Sequence, residues 1–348
     1  MRTAFALGYA FHGDDPAAAG LLATEAEEAG FSMVMTGDSP ALYGDCFIGM
    51  TLLAQATRSC RVSSFVTNPL VRHPAVVASA MSTLQSISGG RAVLGMSSGD
   101  SGPLNLGRRP ATLGELDAHV TTVRQLWADG TARFEGQPLR FCWPGAAAPI
   151  YLAPGGPRGL RLAGRIADGV FIEMGVLPEV VSYALSELEA GAAEAGRSVD
   201  DIDIWWHLRA CLADSVAGAA HEMRSALAGM ANRALRGSRD RKLIPDELRP
   251  GFDELAARYA IEHHEGRGHA PNAALVEELG LLDYLAERYG LLGNADDWAA
   301  KLEHLRSLGV RQVALAGMMS DRRAFLERFG AEVFPRCGVR LADPVGER

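Results

Sequence analysis

Residues Arg61 to Asp100 read RVSSFVTNPLVRHPAVVASAMSTLQSISGGRAVLGMSSGD. A β-branched and aromatic run from Val62 to Thr67 stops at Asn68-Pro69. A helical segment follows from Pro74 to Ile87, with proline in the first turn, where a missing N–H costs nothing. Gly89-Gly90 ends that helix. A second apolar strand, Ala92 to Met96, then runs into Ser97-Ser98-Gly99-Asp100. This is one β-α-β unit, with its polar residues just past the strand C-termini. In parallel α/β sheets and barrels, ligands bind at that end.

The pattern repeats outward along the chain. Ala4 to Tyr9, Phe31 to Thr36, Ile150 to Ala153, Gly169 to Met174, Ile202 to Leu208 and Val310 to Ala316 supply six further strands. Helices are expected over Pro16–Ala29, Cys46–Thr57 and Arg158–Ile166, from Pro178 onward, and over Asp296–Leu308. Strands alternating with helices of ten or more residues pair in parallel. Eight of them predict an α/β chain folded as a closed (β/α)8 TIM barrel, a single domain over residues 1–348. Two stretches exceed the minimal repeat. The segment 101–149, after the fourth strand, holds a helix from about Glu115 to Trp127 and then ARFEGQPLRFCWPG, which suits a small hairpin. The segment 212–294, after the seventh strand, is far longer than one helix requires. Long insertions at this end of a barrel shape substrate sites.

The totals narrow the function. A net charge of -8 with no basic run argues against nucleic acid. Five cysteines, widely spaced and without C-x-x-C, argue against a disulfide framework or a zinc cluster and for a reducing cytoplasm. The opening MRTAFALGYAF lacks the features of a signal peptide, and no apolar run is long enough to span a membrane. The expected partner is a small molecule.

Several residues at strand ends suit chemistry. Asp38, after MVMTG, is a carboxylate that apolar walls would make a general acid or base; it also suits an Asx-turn ahead of Pro40. Arg72 and His73 precede Pro74, and each has a bland reading, Arg72 paired with a neighbouring acid and His73 with a carbonyl. Ser97, Ser98 and Gly99 let a flat ring or a phosphate approach the backbone, while Asp100 either binds a ligand hydroxyl or caps its loop. Gly155-Gly156-Pro157-Arg158 joins a strand to a helix, and free N–H groups beside a guanidinium make an anion site. Glu173 and His207 close the sixth and seventh strands. By period-two alternation Trp205 and His207 share one face and Ile204 and Trp206 the other, with either face free to point inward. His207 suits proton transfer. His263-His264-Glu265 with His269 matches no metal-binding spacing and reads as a solvated loop, so no metal is expected.

The wording TNP-x-x-RHPA, SGGRAVLG and GD, with PIYLAPGGPRGLRLAGRIADGVF further on, resembles the luciferase-like superfamily of flavin and deazaflavin oxidoreductases, nearest its methylenetetrahydromethanopterin-reductase branch. The resemblance implies a bulge with a non-proline cis peptide about Ser64-Phe65-Val66. It places Phe65, Val66, Thr67 and Asn68 against the cofactor ring and the cofactor phosphate at Gly155–Arg158. Members of the deazaflavin branch carry an acid followed by His where this chain has Asp38-Ser39. Implied cofactors are coenzyme F-420, which passes hydride to or from a substrate, or FMN, whose reduced form serves oxygen-using monooxygenases. A non-catalytic flavin-binding relative is the third reading. Arg108, Arg109, Arg158 and Arg161 are candidates for an anionic tail. The resemblance also implies pairing into a dimer through helices around the second to fourth strands.

Overall fold

The computed structural model describes residues 6–11, 16–143, 145–235, 240–263, 271–317 and 321–337. Its first four strands are β1 (Ala6–Phe11), β2 (Met33–Thr36), β3 (Arg61–Ser64) and β4 (Ala92–Met96). An antiparallel hairpin follows, β5 (Thr131–Phe134) with β6 (Gln137–Arg140), where such a hairpin is expected from the sequence. Then come β7 (Ile150–Leu152), β8 (Gly169–Ile172), β9 (Asp203–Leu212), β10 (Gly290–Gly293) and β11 (Gln312–Ala316). Apart from the hairpin these strands form one parallel sheet, in the order β10-β9-β11-β1-β2-β3-β4-β7-β8. The sheet curls, because β8 also pairs with β9.

The connecting helices are α1 (Pro16–Glu28), α2 (Cys46–Ala56) and α3 (Pro74–Ser88). Between β4 and β7 lie α4 (Ser101–Asn105) and α5 (Leu113–Asp129), and after β7 and β8 come α6 (Pro157–Ile166) and α7 (Pro178–Glu194). The stretch from β9 to β11 holds α8 (Val216–Ala234), α9 (Arg249–Arg258), α10 (Pro271–Glu278), α11 (Leu282–Tyr289), β10 and α12 (Ala295–Ser307). Local chemistry fixes their ends. The Asp45 carboxylate accepts from the amides of Phe47 and Ile48 to start α2. Thr112 and Glu115 form a reciprocal capping box, which begins α5 two residues before Glu115. Gly89 ends α3 at φ 63°, a left-handed position that glycine adopts without cost. No helix among the described residues is long and apolar enough to cross a membrane.

Period-two alternation sorts side chains between two cores. Val34, Val62, Leu94, Trp206 and Leu208 pack outward under the helices. Met33, Met35, Val93, Phe171, Trp205 and Ala314 pack inside the curl. Trp205 is therefore the inward tryptophan and Trp206 the outward one. Each such side chain, fully buried, contributes roughly 1.5–3 kcal/mol of transfer free energy.

Below Trp205 a polar cluster closes the curl. Asp203 accepts from Arg61 at 2.6 Å and Trp205 Nε1 at 3.1 Å, and also from Tyr151 and Gln312.

The structure departs from the sequence expectation mainly at β9 and β10. β9 runs on to Leu212, four residues past its expected end at Leu208, and its ten residues serve three neighbours. Asp203–Trp206 pair with β8, Trp206–Arg209 with β11 and Arg209–Leu212 with β10. β10, the short run GLLG, gives no periodic signal, yet it supplies the partner that lets β9 continue.

Candidate active site

The inward face of β9 carries Asp203, Trp205, His207 and Arg209 in successive layers, so the strand that fills the core also delivers a histidine to the carboxyl end of the sheet. His207 is 2% exposed. Its ring stands edge-on to Phe65, with centroids 4.7 Å apart, and Phe65 stands edge-on to Phe171 at 4.9 Å. His207 Nδ1 lies 3.1 Å from Glu173 Oε1. An ionised carboxylate only accepts, so Nδ1 must carry the hydrogen and Nε2 the lone pair. Nε2 is buried and has no protein partner among the described residues.

Arg233 Nη2 reaches the same Glu173 oxygen at 2.6 Å. Burial pushes the Glu173 carboxyl up. Arg233, with His207 and Arg209, more than offsets this and holds it below the usual carboxylate range. Burial drives His207 down to about 4, Glu173 opposing and Arg209 and Arg233 adding to the fall. At neutral pH the site thus holds a neutral imidazole beside an anionic carboxylate.

Across the space, Asp38 follows β2. Its Oδ2 accepts from Thr67 Oγ1 at 2.5 Å and from Arg72 Nη1. Arg72 also meets Asp45 at 2.6 Å and lies over the Phe47 ring. The ion-pair reading of Arg72 is the one the structure gives, and His73 caps α3 by accepting from Ala75 N. Asp38 thereby ties the end of β2 to the segment after β3.

That segment contains a cis peptide between Phe65 and Val66. It lies close against β4. Ser64 Oγ donates to Gly95 O and accepts from Gly95 N, both at 2.9 Å, and Thr67 bridges to Met96. A Cβ on Gly95 would fall 2.1 Å from Ser64 O, so only glycine permits this approach. Asn68 Oδ1 accepts from Leu70 N and closes the Asn-Pro turn. Asp100 makes no side-chain cap to α4.

Two cavities meet here. A small one of about 70 Å³ is lined by Asp38, Ser39, Phe65, Val66, Asn68 and Asp100, with His207 and Arg209 behind them. Ser97, Gly99 and Arg233 line both it and a larger cavity of about 720 Å³, which reaches Ser98, Gly155, Gly156, Pro157, Arg158 and Glu173. Thr67 stands behind the small cavity, through Asp38, and lines neither. Arg241 and Lys242 complete the larger wall from the insertion.

At the glycine turn α6 starts without a side-chain cap. A Cβ on Gly156 would stand in ordinary contact, 3.6 Å from Lys242 Cε, so the lysine stem lies over this turn. Of the four arginines proposed for an anionic tail, only Arg158 lines the larger cavity. Arg109 pairs with Glu115 at 2.8 Å and Arg161 with Glu187 at 2.6 Å. Arg108 donates to Leu70 O and lines a separate, outer cavity of about 1280 Å³ against the hairpin.

Arg209, Arg233, Arg241 and Lys242 escape the sequence reading. Arg209 was within reach, two residues past His207 on the same alternation. The other three come from an insertion whose path the sequence does not disclose. His263 is exposed, and His264, Glu265 and His269 lie outside the described residues.

Comparison with known proteins places this geometry. The luciferase-like monooxygenase family matches residues 4–312. The 5,10-methylenetetrahydromethanopterin reductase of Methanopyrus kandleri is 30% identical over 349 residues, covering 92% of this chain and 95% of the reductase. An F-420-dependent glucose-6-phosphate dehydrogenase of Nakamurella multipartita is 28% identical, covering 90% and 91%. The solved coenzyme F-420-dependent tetrahydromethanopterin reductase from Methanopyrus kandleri superposes with a TM-score of 0.73 at 24% identity, over 96% of this chain and 99% of that one. By sequence over most of its length and by fold, the chain belongs to the luciferase-like monooxygenase family.

Proposed function

We propose that this protein is a coenzyme F-420-dependent oxidoreductase that moves hydride to or from a small organic substrate. The observation that carries the reading is the joined cavity. One end offers an edge of backbone and aromatic rings beside a proton-transfer group. The other offers the amides and cations that an anionic tail needs. The residues present fit such a cofactor. Phe65 and Val66, held against Gly95, back a planar ring, and Ser97 and Ser98 supply hydroxyls beside it. Gly155, Gly156, Pro157 and Arg158 take an anion at the start of α6, with Arg241 and Lys242 facing them. When bound, a 5-deazaflavin supplies or accepts the hydride.

The chain itself handles the proton. His207 takes it at Nε2 from a substrate hydroxyl or amine, or returns it, while Glu173 orients the ring through Nδ1. Asp38 lines the same space with Oδ2 committed to Thr67 and Arg72, so its role is to position Val66–Asn68. Ser39, standing where the family branch carries His, leaves the proton to the opposite wall. Relatives by sequence include 5,10-methylenetetrahydromethanopterin reductases and F-420-dependent glucose-6-phosphate dehydrogenases, which favours hydride transfer over oxygen chemistry.

The same reading extends to the architecture and setting. The curled sheet is a (β/α)8 barrel in a single domain over residues 1–348. Its insertions are about 101–149 and 212–294, and the protein pairs as a dimer in the cytoplasm.

Adding F-420 and FMN separately and following ring fluorescence tests the assignment. Saturable quenching is expected with F-420 and weaker binding with FMN. Tighter binding of FMN would move the protein to the monooxygenases, and affinity for neither would remove the redox reading.

A further inference from the structure

We propose that Arg233, carried in by the insertion helix α8, is a positioning residue that sets which nitrogen of His207 faces the cavity with its lone pair. The inference deepens the proton role given above to His207 and rests on that reading, but its test does not need the cofactor. Arg233 and His207 converge on a single oxygen. Arg233 Nη2 is 2.6 Å and His207 Nδ1 3.1 Å from Glu173 Oε1. Glu173 is 3% exposed and His207 2%, so water competes little for this pairing.

A carboxylate buried with a histidine alone has two ways to settle. The pair can retain an extra proton, as imidazolium beside carboxylate or as two neutral groups, or release it and leave a neutral imidazole beside the anion. A guanidinium on the carboxylate removes the choice. It stabilises the anion in place and repels a second positive charge on the imidazole. The hydrogen then stays on Nδ1 and the lone pair on Nε2.

The other groups around the imidazole do not do this. Arg209 lies on the same strand and adds positive charge that both His207 and Glu173 feel. Asp38, Asp100 and Tyr43 line the same small cavity from β2 and β4 connections. Tyr289 lies near enough to Glu173 for its own hydroxyl to feel that charge. Among the described residues, Arg233 is the one seen to reach the carboxylate from an element outside the sheet, and it lines both cavities. The proton-transfer group is therefore complete only when the insertion is docked.

Labelling histidine with ¹⁵N and titrating the cofactor-free protein reads this directly. In the wild type His207 should appear as the Nδ1–H tautomer and stay neutral down to about pH 4. Arg233→Gln should raise its midpoint by roughly one unit or more, the usual effect of removing a close like charge. Arg233→Lys should restore most of the wild-type value. In the loaded enzyme, Arg233→Gln should move the acidic limb of the kcat profile upward by the same amount. An unshifted midpoint in Arg233→Gln overturns the proposal. So does an Nε2–H tautomer in the wild type, which needs no variant to fold. Loss of ring binding with the expected His207 titration would count against the cofactor assignment and leave this one standing.

Discussion

Two residues that read alike in the sequence part company in three dimensions. Asp38 follows β2 and His207 sits within β9, and both line the small cavity, but their partners differ. Asp38 Oδ2 is spent on Thr67 and Arg72, whereas His207 Nε2 is buried with no partner among the described residues. The two substitutions should therefore fail differently. His207→Gln should leave ring affinity near wild type and lower kcat by about 10²–10⁴-fold, the range for losing a proton-transfer group. Asp38→Asn should loosen the hold on Thr67 and weaken ring affinity several-fold, with a smaller change in kcat. Steady-state kinetics alongside fluorescence titration of both variants decides this. A large kcat loss in Asp38→Asn with intact affinity would return the proton role to Asp38. The sequence singles out His207 by its expected place at a strand end, with the inward face left open. It stops one step short of Arg209 because that expected end comes too early. It could not find Arg233, since nothing local to α8 records where the helix docks.

Elements are joined here by polar staples that a hydrophobic pattern does not reveal. Glu27, in the last turn of α1, accepts from the amides of Arg58, Ser59 and Cys60 and from the Ser59 hydroxyl, all within 3.2 Å. The turn ahead of β3 is fixed by that carboxylate. Burial pushes Glu27 up, but the donors from Cys60, Ser59 and Arg58 outweigh it and hold it at about 2, against an ordinary 4.5. A depressed carboxyl stabilises the fold fully above its unfolded value and ceases to do so as pH falls through its folded one. Glu27→Gln should therefore be less stable than wild type at pH 7, with the gap closing between about 4.5 and 2. Urea melts across that range check it, and a gap that stays constant with pH would show that the charge contributes nothing. Strand and helix identities were legible because apolar spacing and caps are local. Glu27, three residues before Gly30, carries no mark of its partners some thirty residues on.

At the scale of the whole molecule, the open question is what holds a long insertion over the sheet firmly enough to build a site. Arg288, at the end of α11, is fully buried. It donates to Met174 O at 2.8 Å, to Lys242 O at 2.7 Å, to Leu243 O at 3.3 Å and to the Tyr284 hydroxyl at 2.5 Å. Met174 follows Glu173 directly, and Lys242 faces the glycine turn, so one guanidinium ties the proton-transfer wall to the anion wall. Gly175 permits the approach, since a Cβ there would fall 2.4 Å from Arg288 Cγ. The barrel-like sheet could be read from eight alternating strands, but these bonds could not, because they join backbone segments 45 to 114 residues from Arg288. Arg288→Met keeps much of the volume and strands three carbonyls. The cost should be about 3 kcal/mol or more of global stability, since each buried carbonyl left without its donor costs roughly 1–3 kcal/mol. More tellingly, hydrogen exchange should accelerate first across 240–249 and at the end of β8, with ring affinity falling in step. If exchange there stays slow while stability drops, Arg288 serves the core alone and the insertion is held by its apolar contacts.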